Sequence, residues 1–159
     1  MDIGFYLLDV DNNNELHKDI LRCTNEVCKK YPYANIILFN NQFNALDIDH
    51  KYYILHINQA KYFKGILFVF DTKSAMITQT FPAPKYQVLY CKNAEWSRDT
   101  SAPYGFWNNI YNRDNFELIT SDQETYDLLE ICWKKPLSLI KNINSEEITD
   151  VISKLQKPN

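Results

Sequence analysis

Asp9 and Asp11 stand two residues apart at the end of a short apolar run, Ile3 to Val10 (IGFYLLDV). Two carboxylates so spaced can hold Mg²⁺ or Mn²⁺ through hard oxygen donors. The carboxyl end of a strand is also where open α/β sheets place their ligands. The plainer use of the same pair is as turn and N-cap carboxylates ahead of a helix. Asp71 closes a second apolar run, Gly65 to Phe70 (GILFVF), with Thr72 and Ser74 close behind. It is open to the same two uses, ligand group or cap. If the two runs are neighbouring strands, Asp9, Asp11 and Asp71 share one site. His56, within Tyr52 to Ile57 (YYILHI), offers an imidazole suited to general-base work, or a satisfied histidine of the core or sheet edge.

The stretch from Glu95 to Arg113 brings Trp96, Arg98, Tyr104, Trp107 and Tyr111 together with Glu95 and Asp99. Aromatic faces stack on sugars or bases, while Arg and carboxylates anchor phosphates or hydroxyls. The same residue types dominate protein-binding hot spots, and they can equally fold back as a lid on the domain's own core. Asp9, Asp11 and Asp71 are therefore expected to line the floor of a site, with Trp96, Arg98 and Trp107 above it and Tyr104 beside them.

These residues need a frame, and the order of apolar segments supplies one. Ile3–Val10, Asn35–Asn40 (NIILFN), Tyr52–Ile57, Gly65–Phe70, Lys85–Tyr90 (KYQVLY), Asn115–Thr120 (NFELIT) and Leu137–Ile140 read as strands. Between the first two, Leu16, Ile20, Cys23 and Val27 recur at helical spacing, and Pro32 ends that helix. Asp71–Gln79 predicts a short helix, and Asn58–Lys64 a turn or short helix. Lys92–Asn115 reads as a long loop with a short helix near Phe106–Tyr111. Ser121 with Glu124 has capping-box spacing ahead of a face of Thr125, Leu128, Leu129, Cys132 and Trp133. Ser145 is the expected cap of a last helix with Ile148, Val151, Ile152 and Leu155 as its buried face. Alternating strands and helices predict a single three-layer α/β domain with a mostly parallel sheet, spanning 1–155 with a frayed tail at 156–159.

The whole chain has 159 residues and a net charge of -3, a length that suits one self-sufficient core. The acidic balance gives no footprint for nucleic acid or a membrane surface, and no apolar stretch approaches the roughly 20 residues that cross a bilayer. The four cysteines form no C-x-x-C and the three histidines no zinc spacing. With no basic, apolar leader at its start, the chain is expected to be cytoplasmic with free thiols. Lysine outnumbers arginine 14 to 3, and Asn and Ile are abundant, a codon bias of AT-rich microbial or viral genomes. Only Gly4, Gly65 and Gly105 occur, so neither a P-loop nor G-x-G-x-x-G exists. Asp9 to Asn14 stand where a dinucleotide fold has its glycine-rich turn.

The run FELITSDQETYDLLEICWKKPLSLIKNINSEEITDVI, Phe116 to Ile152, resembles the last part of the N-terminal Rossmann-like half of GT-B glycosyltransferases. There a strand ends in a serine-bearing turn, a helix follows, and a short strand precedes an Asn-containing turn. The opening IGFYLLDVDNN is similar in style to the first strand of that half. In size and texture the chain is similar to small phage proteins labelled glycosyltransferase-like. The resemblance implies a Rossmann-like domain that binds a sugar or nucleotide, such as a nucleotide sugar, at the C-terminal strand edge. A GT-B enzyme binds its donor between two such halves, so a single half implies binding without turnover on its own. A non-catalytic, phage-derived protein-interaction module is the alternative. The Asp9-Val10-Asp11 spacing also resembles the first motif of haloacid-dehalogenase-type phosphatases, although Asn13 stands where that family carries a small or hydroxyl residue.

Overall fold

The computed structural model describes residues 1–41, 50–98 and 101–157. Its core is one seven-stranded sheet built from β1 (Asp2–Tyr6), β2 (Ile36–Asn40), β3 (Tyr53–His56), β4 (Gly65–Val69), β5 (Tyr86–Cys91), β6 (Phe116–Thr120) and β7 (Ser138–Leu139). The spatial order is β3-β2-β1-β4-β5-β6-β7, and all six pairings are parallel. The sheet is thus wholly parallel. The chain walks outward from β1 to β3, returns to the middle at β4, and walks out the other way to β7. This reversal defines a doubly wound, Rossmann-like three-layer domain.

Parallel strands covered on both faces should be apolar at nearly every position, and β4 is buried along its whole length. Successive side chains go to opposite faces. Ile3, Phe5 and Leu7 join Ile66 and Phe68 on one face, packed under α1 (Glu15–Lys30) and α6 (Ser145–Gln156). Tyr6, Leu67, Val69 and Leu89 enter the other core. That side carries a 3-10 turn (Ile57–Tyr62) and four helices, α2 (Thr72–Thr78), α3 (Glu95–Arg98), α4 (Tyr104–Tyr111) and α5 (Gln123–Cys132). The predicted α1 face is buried at Ile20, Cys23 and Val27, and all four residues predicted for α6 are buried.

Close approach explains one glycine. A Cβ on Gly65 would lie 2.2 Å from the carbonyl oxygen of Asp2 on the neighbouring strand, so no larger residue fits there without moving the β1–β4 pair. Lys134 anchors the far end of the sheet by donating from Nζ to the carbonyl oxygens of Arg113, at 2.9 Å, and Phe116. Partial burial of that ammonium holds its pKa below the usual lysine range.

Several boundaries differ from the sequence reading for local reasons. β1 stops at Tyr6 rather than Val10, because the chain bends at Leu8 and Asp9 and leaves the ladder after a last bond from Asn41 N to Leu8 O. The caps of α5 and α6 fall one residue away from their serines. Asp122 accepts the Thr125 N–H at 2.7 Å, and Asn144 accepts those of Glu146 and Glu147 at 3.0 Å. A short carboxylate or amide in that position outcompetes the neighbouring hydroxyl, and no Ser121–Glu124 capping box forms. Cys132 is exposed rather than part of the α5 face, because the helix ends there and Trp133 leaves it as the C-cap. The stretch read as a loop with one short helix near Phe106–Tyr111 holds that helix, α4, and a second one, α3.

Candidate functional site

Reversal of strand order between β1 and β4 opens a crevice, since the connections leaving these two strands diverge to opposite faces. A cleft of about 330 Å³ lies there, with Asp9, His17, Asp71, Lys73, Lys92 and Glu95 among its polar lining and Leu7, Leu16 and Phe70 among its apolar one. Asp9 comes from the turn after β1 and His17 from the first turn of α1. Asp71 and Lys73 flank the start of α2, and Lys92 and Glu95 follow β5. Three separate connections, β1–α1, β4–α2 and β5–α3, thus converge at one strand edge.

Each of these groups is held differently. Asp71 is the N-cap of α2, its Oδ1 accepting the Ser74 N–H and its Oδ2 the Ser74 hydroxyl, both at 2.7 Å. The backbone N–H of Asp11 donates to His17 Nδ1 at 3.0 Å. A donor on Nδ1 requires a lone pair there, so the neutral ring carries its proton on Nε2. Asp11 itself is exposed and closes a tight turn by accepting the Asn13 N–H at 2.9 Å. It does not line the cleft with Asp9. Among the described residues, no three His, Cys, Asp or Glu side chains converge as a metal cage would require.

Glu95 is held from beneath. The Thr72 hydroxyl donates to Glu95 Oε2, and Thr72 also bonds the Tyr111 phenol. Burial pushes the Tyr111 pKa far above the ordinary phenol value, so its proton stays in place at working pH. Thr72 thus joins Tyr111 to Glu95 and fixes one carboxylate oxygen of the latter at the cleft.

Of the residues the sequence singled out, Asp9 and Asp71 meet in this cleft, while the aromatic residues lie outside its lining. Trp107 is buried at 6% exposure and packs against Phe106 and Tyr111, with ring centroids 4.8 and 6.1 Å away. Trp96 meets Tyr111 at 4.9 Å and Trp133 at 6.2 Å. Tyr104 stacks on Trp133 at 5.3 Å with its outer side exposed. None of these rings lines the cleft. Of the three uses open to this stretch, packing on the domain's own core is the one that Trp96 and Trp107 display. Arg98 is exposed at the end of α3 and joins neither group, and Asp99 lies outside the described residues. His56 caps the 3-10 turn, its Nδ1 accepting the Asn58 N–H at 3.2 Å, away from the cleft.

His17, Lys73 and Lys92 escaped the sequence reading, and Glu95 entered it only as part of the aromatic stretch. Their common signal was position. Each lies within a few residues of a strand end or in the helical turn that follows.

No known family, curated protein or solved structure matches the chain. The class of protein is accordingly defined by strand order and cleft: a Rossmann-like α/β domain with a polar crevice at its switch point. Among the described residues no helix is long and apolar enough to cross a membrane.

Proposed function

We propose that the protein binds a sugar or nucleotide, with a nucleotide sugar as the best-fitting combination, in the cleft between the β1 and β4 connections. One observation carries this reading: carboxylates and amines from three connections gather at the strand edge where the order reverses. Carboxylates such as Asp9 and Glu95 accept from sugar or ribose hydroxyls, and Lys73 and Lys92 pair with phosphate as point charges. The lack of a glycine-rich turn supports phosphate recognition by these side chains rather than by the backbone at the start of α1. The Phe116–Ile152 resemblance to GT-B glycosyltransferases is in keeping with such a ligand, and makes the domain glycosyltransferase-like in its binding half.

Calorimetric titration with uridine diphosphate glucose, uridine monophosphate and glucose tests the proposal. The nucleotide sugar is expected to bind more tightly than either fragment, and Lys92→Gln or Glu95→Gln to weaken it about tenfold or more. That fold-change corresponds to about 1.4 kcal/mol. No binding by any of the three, or binding unchanged in both variants, overturns it.

A further inference from the structure

A second cleft, of about 520 Å³, lies away from the switch point and is lined by Gln79, Thr80, Asn108, Asn109, Asn112 and Arg113. Gln79 and Thr80 follow α2, Asn108 and Asn109 lie on α4, and Asn112 and Arg113 lead into β6. Arg113 precedes its strand, so this cleft belongs to the amino-terminal edge of the sheet. The cleft at the switch point belongs to the carboxyl edge.

The hydrogen bonds already made decide what the lining can still offer. Asn112 Nδ2 donates to Asn108 Oδ1 at 2.8 Å, leaving the Asn108 amide protons and the Asn112 carbonyl oxygen for a ligand. Gln79 Nε2 donates to Met76 O at 3.0 Å, which leaves its Oε1 as an acceptor. The Thr80 hydroxyl donates to Ile77 O at 3.0 Å and keeps its lone pairs. Both donors and acceptors thus remain in the lining, a mixture that suits hydroxyl groups, which both give and take. Among the described residues the Arg113 guanidinium has no ion-pair partner, and no acidic side chain lines the cleft. Its backbone is pinned, since its carbonyl accepts from Lys134 Nζ and from Phe116 N at 3.1 Å. A planar guanidinium on a fixed backbone suits bidentate binding of carboxylate or phosphate.

We propose that this cleft is a binding site for an acidic sugar, one carrying a single carboxylate or phosphate, with Arg113 taking the anion and the Gln79, Asn108 and Asn112 carboxamides taking the hydroxyls. Its volume falls within the range of small-ligand pockets. It is independent of the site at the switch point.

Amide and arginine resonances followed by NMR during titration with glucuronate, glucose 6-phosphate, glucose and inorganic phosphate test the assignment. Both acidic sugars are expected to shift the side-chain signals of Asn108, Asn112 and Gln79 and the Arg113 Nε signal, and to bind at least about tenfold more tightly than glucose or phosphate alone. Arg113→Gln is expected to reduce that affinity about tenfold toward the level of glucose, and Asn112→Ala to reduce it toward that of phosphate. Both variants are checked for an unchanged backbone spectrum, and Arg113→Lys stands in if Arg113→Gln disturbs the fold. Phosphate binding as tightly as glucose 6-phosphate would overturn the sugar class, and no shifts at these residues would overturn the site.

Discussion

Two regions of the molecule answer to different physics. The aromatic wall of Trp96, Tyr104, Phe106, Trp107, Tyr111 and Trp133 is joined ring to ring. Edge-to-face and offset contacts at these separations add to what burial alone contributes. The cleft at the switch point has almost the opposite make-up. It is lined by charged and polar groups, and its members are tethered singly, Asp71 by its own helix and Glu95 by Thr72. Residue type alone marks the wall as the binding surface, because Trp and Tyr are typical of such surfaces. Placement in the sheet marks the cleft. The wall spends its rings on the core, and Tyr111 links the regions, stacking in one and bracing Glu95 for the other through Thr72.

This contrast can be broken most severely at Trp107. Trp107→Ala should lose about 3–5 kcal/mol in urea unfolding, as a buried aromatic truncation does. A loss below about 1 kcal/mol would make α4 a detachable face and return the wall to the list of binding surfaces.

High pH should act next most strongly, and mainly on the buried side. Burial raises Tyr6 and Tyr52 from 10.0 to about 12 and Cys23 from 9.0 to about 12, and it pushes Cys91 and Tyr111 up as well. The native state keeps these protons while the unfolded chain releases them. Below about pH 7.5 neither state is affected. Above the unfolded values, stability should fall by about 1.4 kcal/mol per pH unit for each such group. Melts at pH 8 and 10.5 check the slope, and Tyr6→Phe should reduce it while removing a buried hydroxyl that has no partner among the described residues. Stability rising over that interval would contradict the assignment.

Inside the cleft the effects should be smaller and uneven. Asp71→Ala removes the α2 cap and should cost about 1 kcal/mol. Asp9→Asn and Lys92→Gln touch no such feature and should stay within about 0.5 kcal/mol of the parent. A Lys92→Gln variant that unfolds would show that the cleft's charges serve the fold and not a ligand.

Alternation of apolar runs and helical spacings made the α/β layers legible, because burial on both sheet faces writes itself into local sequence. The Ile148, Val151, Ile152 and Leu155 face of α6 was readable for the same reason. Strand order was not, since nothing local to GILFVF says that it returns beside IGFYL. Without that order Lys92 and Glu95 could not be set against Asp9 and His17, and the site stayed half assembled. Caps misled by a single residue, because Asp122 beside Ser121, and Asn144 beside Ser145, offer competing acceptors one position apart. Trp96 and Trp107 misled for a deeper reason. The partners of Trp96, namely Tyr111 and Trp133, sit on segments whose approach only the tertiary fold creates. Trp107 meets Tyr111 one turn along α4 but is buried only because that helix packs on the sheet.

Mapping uridine diphosphate glucose onto the backbone amide spectrum tests the central claim most directly. Shifts should gather at residues 7–17, 70–73 and 92–95, with Tyr104 to Tyr111 silent apart from Tyr111 itself through its link to Thr72. Shifts centred on Tyr104, Phe106 and Trp107, with His17 and Lys92 unmoved, would contradict the account and make the aromatic wall the binding site.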